Sequence, residues 1–418
     1  VTPAATSPEH LHPTAILAVF AVTYAGIAVG RIPGLKLNRV GIALLGAIGM
    51  MVFGGVDTSR VASFINWPTI FLLFAFFVIS AQLRLSGFYD RVAGAVAARL
   101  VHPGRFLLVL MAATAGLSAI LNNDIVCYAF VPVVGTALIR QRINPVPFLV
   151  ALGIASNIGA AATVVGNAQN MMIAQIAGLG FGPYLAWSAV PVLFALGAAW
   201  AIVWMMSRRH LRLEVPPAEG RSQDPQPYNR GHTIKGLVLL AAVIGLFFSP
   251  IPKEVTALAA AAIHLASRKF RTEDLLRLVD WPILVLFAGL FVVTGAFVGT
   301  GAGFQVVADL SRLGIDLDRA PVLAVATAAL SNLIGNSAAV MLLVKVVDLT
   351  RPALPYVLAV ANSFGGNLII VGSVANIIVV QQARELGVEI SFRSFARLGI
   401  PVTIAALAGL IGWVAIVR

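Results

Sequence analysis

Charge is what this 418-residue sequence holds least of: charged side chains make up 11% of it, where an ordinary soluble domain carries about 25%. A soluble globular enzyme is excluded on that count. Cysteine is almost missing as well. The single Cys127 rules out an internal disulfide framework and a multi-thiolate metal site within one chain, so it reads as a small core residue. There is no Walker A loop, no HExxH pair and no Gly-x-Ser-x-Gly elbow, which removes direct ATP hydrolysis, zincin-type proteolysis and α/β-hydrolase chemistry. Gly299, Gly301 and Gly303 lack a strand–helix context and signal only a turn. Neither an enzymatic role nor a cofactor or resident metal is expected. Residues 1–12 are polar, with no basic segment leading into an apolar one, so no cleavable signal peptide is expected there.

What the sequence does hold is apolar length. Hydrophobic residues make up 59% of it and the mean hydropathy is +0.93. Stretches long enough to cross roughly 30 Å of hydrocarbon recur from Pro13 onward, separated by short charged connectors. The net charge of +12 is spread through those connectors instead of forming one patch, which fits inner-leaflet anchoring and argues against nucleic acid as a partner.

Apolar runs between charged or Pro/Gly punctuation predict spans near 13–30, 40–54 and 69–86, then an amphipathic stretch at 87–101. At 106–139, two arms of about 15 residues flank Asn122, Asn123 and Asp124, and arms that short with a polar tip predict a re-entrant hairpin. Long segments follow at 147–176 and 184–207, and 208–233, Arg-rich and then Pro-rich, reads as a hydrophilic linker. The second half repeats the order: spans near 236–250, 255–267 and 282–299, an amphipathic stretch at 303–315, an interrupted pair at 320–349, and long segments at 353–382 and 398–417. The expected organisation is a polar segment 1–12, a first repeat 13–207, the linker 208–233 and a second repeat 234–418. Trp67-Pro68 matches Trp281-Pro282, and Leu117-Ser118 and Asn123 match Leu330-Ser331 and Asn336. At one further constant register, Ala155, Gly159, Gly166, Asn170, Gln175 and Ala177 fall on Ala361, Gly365, Gly372, Asn376, Gln381 and Ala383.

Each half therefore holds five crossings plus a hairpin, and an odd number of crossings inverts the second half relative to the first. The predicted fold is an all-α polytopic membrane protein of two inverted repeats, with broken helices at the midplane. With the N-terminus outside, the cytoplasmic connectors hold 22 of the 29 Lys and Arg residues, so the positive-inside rule selects that orientation, both termini outward, in a bacterial-type inner membrane.

Polar residues inside the spans concentrate in four places. Two are the hairpin tips: Ser118, Asn122, Asn123 and Asp124 in the first, and Ser331, Asn332, Gly335, Asn336 and Ser337 in the second. The other two are 156–170 (SNIGAAATVVGNAQN) and 362–376 (NSFGGNLIIVGSVAN), where Gly, Asn, Ser and Thr predict unwound helix. Loosened backbone at that depth must be buried in protein or line an aqueous cavity, where it offers N–H groups to an oxygen-bearing solute and carbonyls to a cation. The candidate solute-binding residues are Asn122, Asn123, Ser156, Asn157, Gly159, Thr163, Asn336, Ser337, Asn362, Ser363, Gly365 and Asn367. The candidate coupling-ion residues are Asp124, Ser118, Asn170 and Asn376. For any single Asn the alternative stays open that it serves only helix packing, at about 0.6 kcal/mol per hydrogen bond.

Asp124 is the most informative position, because a charged carboxylate at bilayer depth costs roughly 2.5–3.5 kcal/mol. Its counterpart is Ser337, so the acid belongs to one half only and reads as a proton carrier or cation ligand, or alternatively as a cap on the second arm. Lys345 is expected to snorkel outward, and His264 to be a satisfied core histidine.

LNNDIVCYAFVPVV (121–134), SNIGAAATVVGNAQNMMIA (156–174), SNLIGNSAAVMLLV (331–344) and NSFGGNLIIVGSVANIIVV (362–380) resemble members of the ion-transporter superfamily. Within it, they are similar to the branch of arsenite-efflux permeases, sodium/proton antiporters and silicon-efflux transporters. The resemblance spans almost the whole chain. Related carboxylate transporters carry Ser-Asn-Thr at both tips as sodium and substrate sites. Here the triplets are Asn122-Asn123-Asp124 and Gly335-Asn336-Ser337, which departs from that pattern and is similar to the arsenite permeases at the first tip. The resemblance implies an elevator motion with 87–101 and 303–315 as linking arms. It also implies proton-driven efflux of arsenite or antimonite, whose uncharged trihydroxy forms suit Asn, Ser and backbone hydrogen bonds. Sodium-coupled carboxylate or inorganic-anion transport, sodium/proton exchange and silicic acid export are the alternatives, and from another class a channel. The expected partners are a small solute or metalloid and membrane lipid, with a homodimer or a separate ATPase as open additions.

Overall fold

The computed structural model describes residues 12–30, 37–209, 211, 227–266 and 269–417. The polar segment 1–12, His12 apart, and most of the linker 208–233 lie outside the described residues. Among the described residues there are twenty α-helices and no strand.

The first half runs α1 (Pro13–Val29), α2 (Arg39–Val52), α3 (Thr58–Phe64), α4 (Trp67–Leu85), α5 (Phe88–Ala97), α6 (Pro103–Ile120), α7 (Asn123–Arg140), α8 (Val146–Ala160), α9 (Ala168–Ile176) and α10 (Phe181–Ser207). The second half repeats it as α11 (Arg230–Leu246), α12 (Lys253–Leu265), α13 (Thr272–Leu276), α14 (Trp281–Gly299), α15 (Ala302–Arg312), α16 (Ala320–Ile334), α17 (Asn336–Val346), α18 (Leu354–Gly365), α19 (Val374–Glu385) and α20 (Phe392–Val417). Packing follows the duplication pair by pair. Helix α6 lies along α8 as α16 lies along α18, α2 packs on α14 as α12 packs on α4, and α10 packs on its own counterpart α20. The fold is all-α, with two inverted repeats, each of five spans plus a hairpin, closed on one another.

The repeated Trp-Pro pair has a local cause. Pro68 and Pro282 sit in the first turn, where a missing N–H costs nothing. Asn66 and Asp280 cap the same turns, accepting from the N–H groups of Thr69 and Ile283. The indoles of Trp67 and Trp281 donate to the carbonyls of Ala62 and Leu276, tying α4 and α14 to the short helices α3 and α13. Those short helices are absent from the sequence reading, since one or two turns carry too few residues to show a period.

The hairpin arms α6 and α7 are 18 residues each, longer than the sequence suggested. By length and composition each is able to cross a membrane. What makes them a hairpin is that their junction, Leu121 and Asn122, lies beside the interruptions of α8–α9 and α18–α19. Both interruptions are as expected: residues 161–167 leave the helix, and 366–373 do so around a single 3-10 turn, Ile370–Gly372.

Large apolar side chains such as Leu193, Val238 and Ile404 stand exposed on the outside, whereas the buried interior holds the polar ones, among them Ser118, Ser156, Asn157, Asn362, Asn367 and Asn376. That inside-out distribution is the one a lipid solvent imposes. Lys345 is half-buried. His264 departs from expectation: it is fully buried on α12, but neither ring nitrogen has a hydrogen-bond partner.

Candidate functional site

The site is built from four interruptions of helix, three of them closed by their own amides. At the first tip, Asn122 caps α7, its Oδ1 accepting from the N–H groups of Asp124 at 2.8 Å and Ile125 at 3.4 Å. The cap is therefore Asn122, not Asp124. This frees the Asp124 carboxylate: no described residue hydrogen-bonds to it, and it lines a cavity. The second tip turns at Gly335, whose φ of 85° and ψ of 152° belong to a region that only glycine populates readily.

The breaks in α8–α9 and α18–α19 are closed in the same way in both halves. Asn170 Nδ2 donates to the carbonyls of Ala160 at 3.1 Å and Thr163 at 3.0 Å. Asn376 Nδ2 donates to those of Gly366 at 2.7 Å and Ile369 at 3.4 Å, the positions matching Ala160 and Thr163. Asn170 Nδ2 also reaches the Tyr184 hydroxyl at 3.2 Å, while the Oδ1 of Asn376 accepts from Asn157. Asn167 caps α9, accepting from Asn170 N–H at 2.8 Å, and its Nδ2 crosses to Ser363 Oγ in the other half at 2.9 Å.

Asn157 is the centre of the assembly. Its Oδ1 accepts from Asn123 Nδ2 at 3.3 Å and Ser373 Oγ at 2.9 Å, and its Nδ2 donates to Asn367 Oδ1 at 2.9 Å and Asn376 Oδ1 at 3.2 Å. One side chain thus joins the first tip to the second half's interruption. Ser118 Oγ donates to Ser156 Oγ, and Ser156 Oγ to the Asn123 carbonyl, both at 3.2 Å. Thr163 Oγ1 donates to the Ala119 carbonyl.

Gly159 and Gly365 let backbones touch. A Cβ on Gly159 would stand 2.2 Å from the Ala115 carbonyl oxygen, and one on Gly365 would stand 2.6 Å from Ala328 Cα. Each hairpin's first arm therefore lies directly on the broken helix of its own half.

A cavity of about 80 Å³ opens where the four interruptions meet. Of the residues expected at the site, Asn122, Asn123, Asp124, Asn157, Asn336, Ser337 and Ser363 line it. Ser118, Ser156, Gly159, Thr163, Asn170, Asn362, Gly365, Asn367 and Asn376 are not among its lining and form the shell behind. Four polar lining residues were not expected: Arg39, Asn167, Gln169 and Ser373. Asn167 and Ser373 had a signal, since each stands three residues before the matched pair Asn170 and Asn376, the spacing of an N-cap. Gln169 Nε2 donates to Ser337 Oγ at 2.8 Å, which nothing in the sequence announces. Arg39, the first residue of α2, belongs to a span far from the clusters.

The halves differ in how fully their polar atoms are used. On the second half's side, Asn332 Oδ1, Asn336 Oδ1, both ends of Asn362 and Asn367 Nδ2 are buried without hydrogen-bond partners. Ser156, the counterpart of Asn362, has its bonds made. Amide oxygen is a ligand type that hard cations take, and a buried one left without a partner calls for an explanation. Among the described residues, no group of His, Cys, Asp and Glu is arranged to hold a metal ion.

A family model described as "Citrate transporter" (CitMHS) matches residues 17–357. An uncharacterized transporter of Mycobacterium tuberculosis is 32% identical over 409 residues, covering 94% of this chain and 95% of its own. The silicon efflux transporter LSI3 of Oryza sativa subsp. japonica is 27% identical over 464 residues, covering 90% and 92%. Among solved structures, the YdaH transporter of Alcanivorax borkumensis superposes with a TM-score of 0.62 at 15% identity, over 97% of this chain and 98% of that one. It shares the fold. The chain accordingly belongs to the CitMHS citrate transporter family of the ion-transporter superfamily, and is a multi-pass membrane protein of the secondary-transporter class.

Proposed function

We propose that this chain exports small uncharged metalloid hydroxides, arsenite and antimonite foremost, in exchange for protons carried by Asp124, through elevator-type alternating access. The observation that carries the reading is the cavity itself. Its polar wall is almost wholly amide and hydroxyl, drawn from both halves, with one carboxylate that no described residue binds. Its volume of about 80 Å³ is small where roughly 10–15 Å³ is needed to hold a single water, which suits a compact trihydroxide better than a tricarboxylate. Asn and Ser donate to and accept from neutral hydroxyls equally well. The rice relative, named for silicon efflux, supports this chemistry, silicic acid being another neutral hydroxide.

Protonating Asp124 neutralises the one acidic wall of the cavity, so a proton and a neutral solute occupying it in alternation gives exchange. No cofactor is required, the gradient being the energy source. The bias of positive charge toward one set of connectors supports a bacterial inner membrane with both termini outside, an orientation in which Arg39 stands on the cytoplasmic side of the cavity.

A second reading has its own support. Arg39 at the rim suits an anion, and the unpaired oxygens of Asn332, Asn336 and Asn362 suit sodium, which together describe sodium-coupled carboxylate uptake in line with the family's name. Proteoliposome flux decides between the readings. Under the first, arsenite, antimonite or silicic acid moves with a pH gradient, citrate and succinate do not, and Asp124→Asn abolishes the pH dependence. Sodium-dependent citrate flux that survives Asp124→Asn refutes it.

A further inference from the structure

The two halves have the same parts but not the same contacts. Helix α9 packs on α4, α17 on α14 and α16 on α1, whereas the exchanged pairs α19 with α14, α7 with α4, and α6 with α11 do not pack comparably. One end of the molecule is also tied where the other is not. Lys253, the first residue of α12, donates from Nζ to the Leu179 carbonyl at 2.6 Å, just beyond α9. Next to it, Glu254 Oε2 accepts from Gln175 Nε2 of α9 at 3.0 Å.

The repeat relates the members of this tie to second positions, Glu254 alone falling on a residue with no acceptor, Val40. The register that puts Trp67 on Trp281 puts Arg39, the first residue of α2, on Lys253. The register that puts Asn170 on Asn376 puts Leu179 on Glu385 and Gln175 on Gln381. Yet Arg39 makes no hydrogen bond or ion pair with any described residue. It lies instead against the second hairpin tip, its Nη1 3.0 Å from where a Cβ on Gly335 would be. A half-buried guanidinium with five donors and no acceptor is a group waiting for a partner.

We propose that Arg39 and Lys253 are paired positioning residues, each holding one of two end states. In the state described here Lys253 grips the end of α9. In the other, reached by exchanging the roles of the repeats, Lys253 lets go and Arg39 grips the end of α19 at Glu385. The second grip joins opposite charges, and a guanidinium–carboxylate contact is stronger than a neutral one. The proposal rests on the alternating-access reading and on none of its solute assignments.

The test uses the full chain with Cys127→Ser, so that introduced thiols stand alone. Leu179→Cys with Lys253→Cys, and in a separate protein Arg39→Cys with Glu385→Cys, are treated with a bifunctional thiol reagent about as long as a lysine side chain. Both pairs are expected to link, and either link to stop transport until it is reduced. Because these variants remove the grips themselves, a second measurement keeps the side chains' roles in view. Val371→Cys reports on the cavity it lines, through its labelling rate in membrane vesicles by an impermeant thiol reagent from whichever face labels the parent. Lys253→Gln should slow that labelling and Arg39→Gln should speed it, each by about tenfold or more, the range expected for losing one hydrogen bond to a charged group. A merely structural role would not move the two in opposite directions. Shifts of the same sign, or a protein that transports while Arg39 and Glu385 never link, overturn the proposal. Loss of metalloid flux with both links retained overturns only the solute assignment.

Discussion

Removing the side chain of Asn157 should do more damage than removing any other single amide. Its four hydrogen bonds run to Asn123, Asn367, Asn376 and Ser373, and its side chain is buried. Inside a bilayer such a bond contributes about 0.6 kcal/mol on average, so four together contribute about 2–3 kcal/mol. To this is added the cost borne by Asn367. Its Nδ2 already lacks a partner, and Asn157→Ala would take the bond from its Oδ1, leaving a fully buried amide with none. An unsatisfied buried group costs about 1–3 kcal/mol, which brings the total to about 3–6 kcal/mol. Asn123, by contrast, faces the cavity, where water can replace what it loses. Thermal unfolding of the purified protein in detergent, beside flux in proteoliposomes, reads both consequences. The midpoint should fall clearly below that of Ser311→Ala, an exposed control, and flux should be lost because the first tip is no longer tied to the second half. An Asn157→Ala protein that melts and transports like the parent would show that the tie is not what assembles the site.

Gly159→Ala and Gly365→Ala each set a methyl against neighbouring backbone that cannot swing aside, at 2.2 Å and 2.6 Å respectively. Both should lower folded yield and flux, while Gly116→Ala, with open space around it, should leave both unchanged. Gly335→Ala meets a different obstacle, a backbone conformation worth about 1–3 kcal/mol to a residue with a side chain. It should alter solute affinity at the second tip, measured as KM, more than it alters expression.

Much of the architecture was legible because lipid leaves so few solutions. Backbone polar groups must pair within helices, so a Gly, Asn and Ser cluster in an apolar run can only mean a break kept inside the protein. Duplication then made each break visible twice, as Asn170 with Asn376 shows. What stayed hidden is what depends on distance between chain segments. Gln169 meets Ser337 across the halves, and Asn157 gathers partners from three elements, while each reads in isolation as one more amide. Arg39 was passed over because a charge at the head of a span is ordinarily an anchor. Conversely Gly159 and Gly365, read as solute contacts, stand behind the cavity wall, since the reason for glycine there is a neighbour's main chain.

The direct seating of hairpin on broken helix, main chain against main chain, leaves no compliant layer between them. The stretch of cavity wall that hairpin and broken helix form together therefore keeps one shape and one set of dipoles. On the exchange of end states proposed above, any difference in affinity between them would then come from the rest of the wall, where α1, α2 and α14 contribute Ile27, Arg39 and Leu286.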